Sequence, residues 1–156
     1  MEILFAVCLV NYCLLVVWLH YHWLQIPLYR YNKDQADVPI SLKVSVIIPV
    51  RNEAEHIVSL LQDLSQQRLN DSYYFPTNQW EAIVINDNSE DETSALVKKF
   101  QANAQFNLRL ITASEPEKSQ SPKKAALYQG IQAADGEVII SMDGDCRIGP
   151  YWLVSW

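Results

Sequence analysis

By pattern the chain divides into an apolar stretch, a polar stretch and a strand–helix alternation. Residues Ile3 to Leu19 are almost wholly apolar, broken only by Asn11, Tyr12 and two cysteines, and the run continues through Leu28. Crossing a bilayer takes about 20 residues of helix, so residues 1–28 are predicted to form one membrane anchor. Trp18, Tyr21, Trp23, Tyr29 and Tyr31 resemble an interfacial aromatic belt, and Pro27 is expected to end or kink the helix. The only early charge is Glu2 and bulky aromatics follow the run, which argues against a cleaved signal peptide. Residues 29–42 are polar, contain Pro39 and read as a linker.

From Val44 onward the period changes. Val44 to Ile48 is a continuous apolar strand that Pro49 is expected to stop. Asn52-Glu53-Ala54-Glu55 resembles a capping box opening a helix, with Ile57, Leu60, Leu61 and Leu64 at helical spacing. Trp80 to Ile85 reads as a second strand. Ser89-Glu90-Asp91-Glu92 then opens a second helix with Leu96 and Phe100 on its inner face. Leu108 to Ile111 is a short third strand. Ser121-Pro122 suits the N-cap and first turn of a third helix, with Leu127, Ile131 and Ala134 inward and Gly136 as its C-terminal stop. The β-branched run at Val138-Ile139-Ile140 reads as a fourth, buried strand. Pro150 is expected to open another helix inside which the sequence stops, so residues 43–156 read as the first half of a larger domain. Apolar strands alternating with amphipathic helices predict an α/β fold, a mostly parallel sheet with helices on both faces.

Bulk properties narrow the function. A length of 156 residues bounds the chain to about one domain. Apolar content of 49% and charged content of 19% suit a protein that buries a core. A net charge of −6 argues against a nucleic-acid partner. It leaves an anionic small molecule open, because a metal and a few lysines supply local positive charge. Cys8, Cys13 and Cys146 have no Cys-x-x-Cys or Cys/His ligand spacing, so they form neither a disulfide framework nor a structural zinc site. Arg30, Lys33 and Lys43 follow the apolar run and no basic residue precedes it, which predicts a cytoplasmic domain on a single-pass anchor in the cell inner membrane.

The chemistry gathers at one end of the predicted sheet. Pro49 to Glu53 follow strand one, Asp87 follows strand two, and Asp143 and Asp145 follow strand four; ligands of parallel sheets bind beyond those carboxyl ends. Alternation along a strand lets Asp143 and Asp145 point the same way, and Gly144 between them lets the backbone bend. Two hard oxygen donors there suit Mg²⁺ or Mn²⁺ also held by substrate phosphates; a solvated Asp-Gly-Asp turn is the plain alternative. Lys123 and Lys124 open the third helix, where the macrodipole disfavours cations, so either an anion such as a diphosphate lies nearby or both are solvated. Asp87 either accepts hydrogen bonds from a base or ribose or caps the second helix. Glu53 either faces the ligand or is an acid favoured by the helix dipole.

Val44-Ser45-Val46-Ile47-Ile48-Pro49-Val50-Arg51-Asn52-Glu53 resembles the opening of family-two glycosyltransferases, which have the GT-A fold. Val84-Ile85-Asn86-Asp87-Asn88-Ser89, Lys124-Ala125-Ala126-Leu127 and Gly136-Glu137 through Asp143-Gly144-Asp145 match in the same order. The resemblance implies that Pro49, Asn52, Glu53 and Asp87 line a nucleotide pocket. It also implies Lys124 near the nucleotide or diphosphate, Asp143 near the ribose and donor sugar, and Asp145, with Asp143, on the divalent metal. The family often has two adjacent acids where this chain has Asn86-Asp87, and Asn where it has Tyr128. The implied activity is inverting sugar transfer from a nucleotide-diphosphate donor, a uridine-diphosphate sugar foremost, to a glycan or lipid acceptor at the membrane. The catalytic base is expected beyond Trp156. A non-catalytic, membrane-tethered nucleotide-binding or interaction module is the alternative from another class. An Asp-x-Asp phosphatase fits less well, since its acids normally open the domain, and a nucleotidyltransferase shares the sheet and the metal logic.

Overall fold

The computed structural model describes residues 1–25, 42–114 and 121–155. The chain falls into two units, Met1–Tyr31 and Asn32–Trp156. In the first, helix α1 (Glu2–Leu24) has 23 residues, about 34 Å at the helical rise of 1.5 Å per residue. Over Ile3–Leu24 it is long and apolar enough to cross a membrane. Its one interior amide is internally satisfied, because Asn11 Nδ2 donates to the Val7 carbonyl at 2.9 Å. Cys8 and Cys13 lie exposed on its surface. The expected anchor reaches Leu28, but Pro27, Tyr29, Arg30, Tyr31 and Lys33, with most of the linker, lie outside the described residues.

The second unit is built on four strands, β1 (Val44–Val50), β2 (Trp80–Asn86), β3 (Asn107–Thr112) and β4 (Val138–Ser141), in the order β3-β2-β1-β4. All three pairings are parallel. Helices α2 (Ile57–Ser65) and α3 (Thr93–Gln101) follow β1 and β2, and α4 (Pro122–Ala133) follows β3. Alternate residues of β1 and β2 feed two cores. Val46, Ile48, Ala82 and Val84 pack with Leu60, Leu61 and Val97 of α2 and α3, whereas Ile47, Ile83 and Ile85 pack with Ala126 of α4. The sheet is therefore covered on both faces, as the uninterrupted apolar strands require.

Several boundaries differ from expectation for identifiable reasons. β1 runs through Pro49 to Val50. Ile47 turns its carbonyl to Met142 at 3.1 Å, while Val50 turns its own to Asp87 at 2.8 Å. Pro49 therefore faces the β4 side, where β4 pairing has already ended at Ser141, and its missing N–H leaves no ladder bond unmade. β4 is an edge strand and is only partly buried, with Ile139 39% exposed. The segment after Gly149 forms turns and a short 3-10 turn at Leu153–Ser155 instead of an α-helix. Gln67 holds it, accepting the Leu153 N–H and donating to the Gly149 carbonyl, both at 2.9 Å.

Helix α4 turns a small-residue face inward. Ala125, Ala126 and Gly130 are buried, while Leu127 is half-buried and Ile131, expected inside, is 40% exposed. A Cβ on Gly130 would lie 2.4 Å from Ile47 Cγ2 and 3.1 Å from Ile85 Cγ1, so only glycine lets the helix approach this closely. Gly130→Ala gains about 1 kcal/mol of helix propensity but overpacks a fully buried contact at a cost of about 1–3 kcal/mol. A net loss of up to about 2 kcal/mol is expected, read from the chemical-denaturation midpoint. Gly136 does not adopt the left-handed C-terminal conformation, since no glycine has positive φ. It is needed because a Cβ would meet Ser45 N and Oγ at 2.6 Å.

That contact belongs to a buried polar cluster at the amino end of the sheet. Glu81, with no exposed surface, accepts from the Ser45 hydroxyl and the Asp135 N–H, each at 2.8 Å. Its other oxygen meets Arg109 Nη1 at 3.3 Å and Asn107 Nδ2 at 3.4 Å. Arg109 also donates to the Ala133 carbonyl at 2.7 Å. One carboxylate thus joins β1, β2, β3 and the turn that returns α4 to β4.

Candidate functional site

At the opposite, carboxyl end of the sheet the strand termini surround an open cleft of about 400 Å³. Pro49 near the end of β1, Arg51 and Glu53 after it and Asp87 after β2 form one wall; Lys123 of α4 with Asp143 and Asp145 after β4 form the other. Seven residues singled out in the sequence bear on it: Pro49, Glu53, Asp87, Lys123, Asp143 and Asp145 line it, and Asn52 ties its loops together. Lys124 does not line it. It lies about 100° further round the helix than Lys123 and is exposed.

The first wall is cross-linked. Asn52 has φ 56°, which excludes the N-cap role expected of it, and α2 starts only at Ile57. Its N–H donates to Ser89 Oγ at 3.0 Å and its Oδ1 accepts the Glu90 N–H at 2.8 Å. Next to it, Glu53 N–H donates to Thr93 Oγ1 at 2.8 Å and Ala54 N–H to Asp91 Oδ2 at 3.0 Å. Four hydrogen bonds therefore fasten the loop after β1 to the loop after β2. Asp91 also accepts from Thr93, and these bonds hold its carboxyl below the usual value. Asn86 Oδ1 accepts the Ser89 N–H at 3.2 Å and its Nδ2 donates to Ser94 Oγ at 3.4 Å. Asp87, only 7% exposed, is left at the cleft floor.

The second wall is looser. β4 ends at Ser141, so Asp143 and Asp145 stand on a turn, closed by Cys146 N–H to the Asp143 carbonyl at 3.3 Å, and not on alternating strand positions. Gly144 is buried against the first wall: a Cβ there would lie 2.8 Å from Val50 Cγ1 and 3.1 Å from Glu53 Cγ. Both acids therefore project to solvent. Lys123 Nζ lies 2.8 Å from Asp143 Oδ1, and this hydrogen bond raises the lysine above its ordinary value. Beyond the turn, Arg147 grips Asp63 of α2 through Nε at 2.6 Å and Nη2 at 3.0 Å, with Ile148 N–H adding a third bond at 3.2 Å. The Arg147 hydrogen bond keeps the Asp63 carboxyl below the usual carboxylate range.

No group of three His, Cys, Asp or Glu side chains able to hold a metal occurs among the described residues. The donors present still suit a hard divalent cation, which is commonly bound through one or two carboxylates with substrate phosphates completing the shell. Exposed, oxygen-only Asp145 and Asp143 beside an open cleft meet that description. Lys123, Asp63, Asp91 and Thr93 carry the geometry of the site without a motif of their own. Only Lys123 had a sequence signal, a cation placed against the helix dipole.

Residues 45–155 match the sequence profile of glycosyl transferase family 2. The glycosyltransferase AglE of Haloferax volcanii is 34% identical over 110 residues, covering 70% of this chain and 33% of the relative. The probable glycosyltransferase YdaM of Bacillus subtilis is 30% identical over 138 residues, covering 86% and 30%. The chain thus spans about a third of the length of these relatives. Among solved structures, S. aureus TarS 1–349 superposes with TM-score 0.59 at 30% identity, over 72% of this chain and 30% of that one. The mannosyltransferase PcManGT of Pyrobaculum calidifontis, in complex with GDP-Man and Mn²⁺, superposes with TM-score 0.62 at 26% identity, over 85% and 34%. Its parallel sheet, its cleft at the strand termini and these matches make the chain a member of glycosyl transferase family 2 with the GT-A fold.

Proposed function

We propose that this chain is the donor-binding part of a membrane-anchored glycosyltransferase that moves a sugar from a nucleoside-diphosphate donor to a glycan or lipid acceptor. The observation that carries the reading is the convergence of Asp87, Lys123, Asp143 and Asp145 on one cleft at the carboxyl edge of the sheet. On this reading Asp87 accepts hydrogen bonds from the base or ribose, and Pro49 and the fastened Asn52–Glu53 loop shape the nucleotide wall. Asp143 faces the ribose and donor sugar, and Asp145 with Asp143 holds a divalent cation, Mg²⁺ or Mn²⁺. When bound, that cation supplies Lewis-acid stabilisation of the departing diphosphate. The TarS fragment has been solved with UDP and with UDP-GlcNAc, and PcManGT with GDP-Man, which supports a nucleotide sugar as donor. Helix α1 supplies the anchor, and the basic residues after it favour a cytoplasmic catalytic domain at the cell inner membrane.

The test is calorimetric titration of the full chain in detergent micelles with UDP, with and without Mn²⁺. Binding that depends on Mn²⁺ and falls at least about tenfold in Asp87→Ala is expected, as loss of a hydrogen bond to a charged group predicts. A folded chain that binds neither UDP nor GDP with Mn²⁺ present would overturn the reading.

A further inference from the structure

The Lys123–Asp143 pair has the wrong partner for a finished donor site, since it places an ammonium on a carboxylate that the proposed metal needs. We infer that Lys123 is a stand-in cation, holding Asp143 until a nucleoside diphosphate arrives, so that the metal is taken up with the nucleotide and only weakly before it. The inference rests on the donor-binding reading above and adds an order of assembly to it.

Three observations carry it. Lys123 stands in the first turn of a 12-residue helix, where the dipole opposes a cation unless an anion is close. Asp143 is that anion in this structure, at 2.8 Å. Secondly, the two side chains are 64% and 54% exposed, so solvent screens the pair and little free energy opposes its exchange for another partner. Thirdly, Asp145 has no hydrogen bond or ion pair among the described residues. The two acids and Lys123 together carry one net negative charge, where the acids alone would carry two. A divalent cation entering by itself meets this halved charge and the repulsion of Lys123. A diphosphate in the cleft offers Lys123 a second anion, releases Asp143, and adds its own oxygens to the cation. Each ligand then raises the affinity of the other by the same factor, as linkage requires. Arg51, the other cation lining the cleft, makes no such pair among the described residues.

The experiment measures free Mn²⁺ by electron paramagnetic resonance, with and without UDP, for the full chain in micelles. In Lys123→Gln, nucleotide-free Mn²⁺ affinity is expected to rise at least about threefold, within the range of a single screened pair. The factor by which UDP enhances Mn²⁺ binding should shrink. Lys123→Arg, which keeps the charge, and Lys124→Gln, which lies outside the cleft, should both match the parent chain. If the parent takes up Mn²⁺ with UDP while Lys123→Gln leaves nucleotide-free affinity unchanged or lower, the inference fails and the donor-binding reading stands. If the folded parent takes up no Mn²⁺ and binds no nucleotide with either UDP or GDP, both fail.

Discussion

Replacing Glu81 by alanine is expected to cost about 3–5 kcal/mol of folding stability, the range for breaking a buried ion pair by removing one partner. The loss follows from what is left behind. The Ser45 hydroxyl, the Asp135 N–H and the Arg109 guanidinium all point at Glu81, and each loses that partner when the side chain is truncated. Burial is the largest influence on the Glu81 carboxyl and raises its proton affinity. The Asp135, Ser45 and Arg109 bonds together outweigh it, so the group ionises below the ordinary value of 4.5. A depressed folded-state pKa contributes stability that is fully present above the unfolded-state value and is lost as pH falls through the folded one. The chain should therefore weaken as pH drops below about 4.5, with Asp63 contributing in the same direction from its ordinary 3.8. Chemical denaturation at a series of pH values checks both points. In Glu81→Gln the Glu81 share of the acid loss should vanish, and a stability unchanged from the parent in Glu81→Ala would contradict the whole account.

Asp145→Ala carries the largest expected effect on binding. On the proposed reading Asp145 is a direct ligand of the divalent cation, and loss of merely supporting groups around a metal already costs about 10–100-fold. Removing the ligand should lower Mn²⁺-dependent UDP affinity by at least about 100-fold. Stability should barely move, because the side chain is exposed and buries nothing. Calorimetry with a parallel melting curve separates the two effects. A variant that melts like the parent and binds UDP with Mn²⁺ equally well would remove Asp145 from the metal.

Where the sequence was legible, one pattern governed one element. The mostly apolar runs from Val44 and Trp80 announce central parallel strands, and the acids at strand ends announce the cleft. Features set by two distant segments were not legible. The capping-box pattern at Asn52 opens no helix, because its polar atoms find partners 37 and 38 residues away. Gly136 read as a helix stop, whereas its smallness serves the approach of Ser45, 91 residues earlier. Ile131 was placed inward by periodicity alone, but the small face of α4 seats the helix too close for a larger side chain. Lys124 and Lys123 were separable only by the rotation of a helix whose start the structure fixes.

The four hydrogen bonds between the loops after β1 and β2 also decide where this cleft can give way. Backbone already fixed by its neighbours loses little freedom when a ligand settles against it, so on the proposed reading binding at this wall carries a small ordering penalty. The facing wall hangs on a solvent-screened lysine–aspartate contact and a turn braced from behind by Asp63. On the same reading, discrimination among bases belongs to the fastened wall, while accommodation of the sugar and the metal falls to the wall held by fewer bonds.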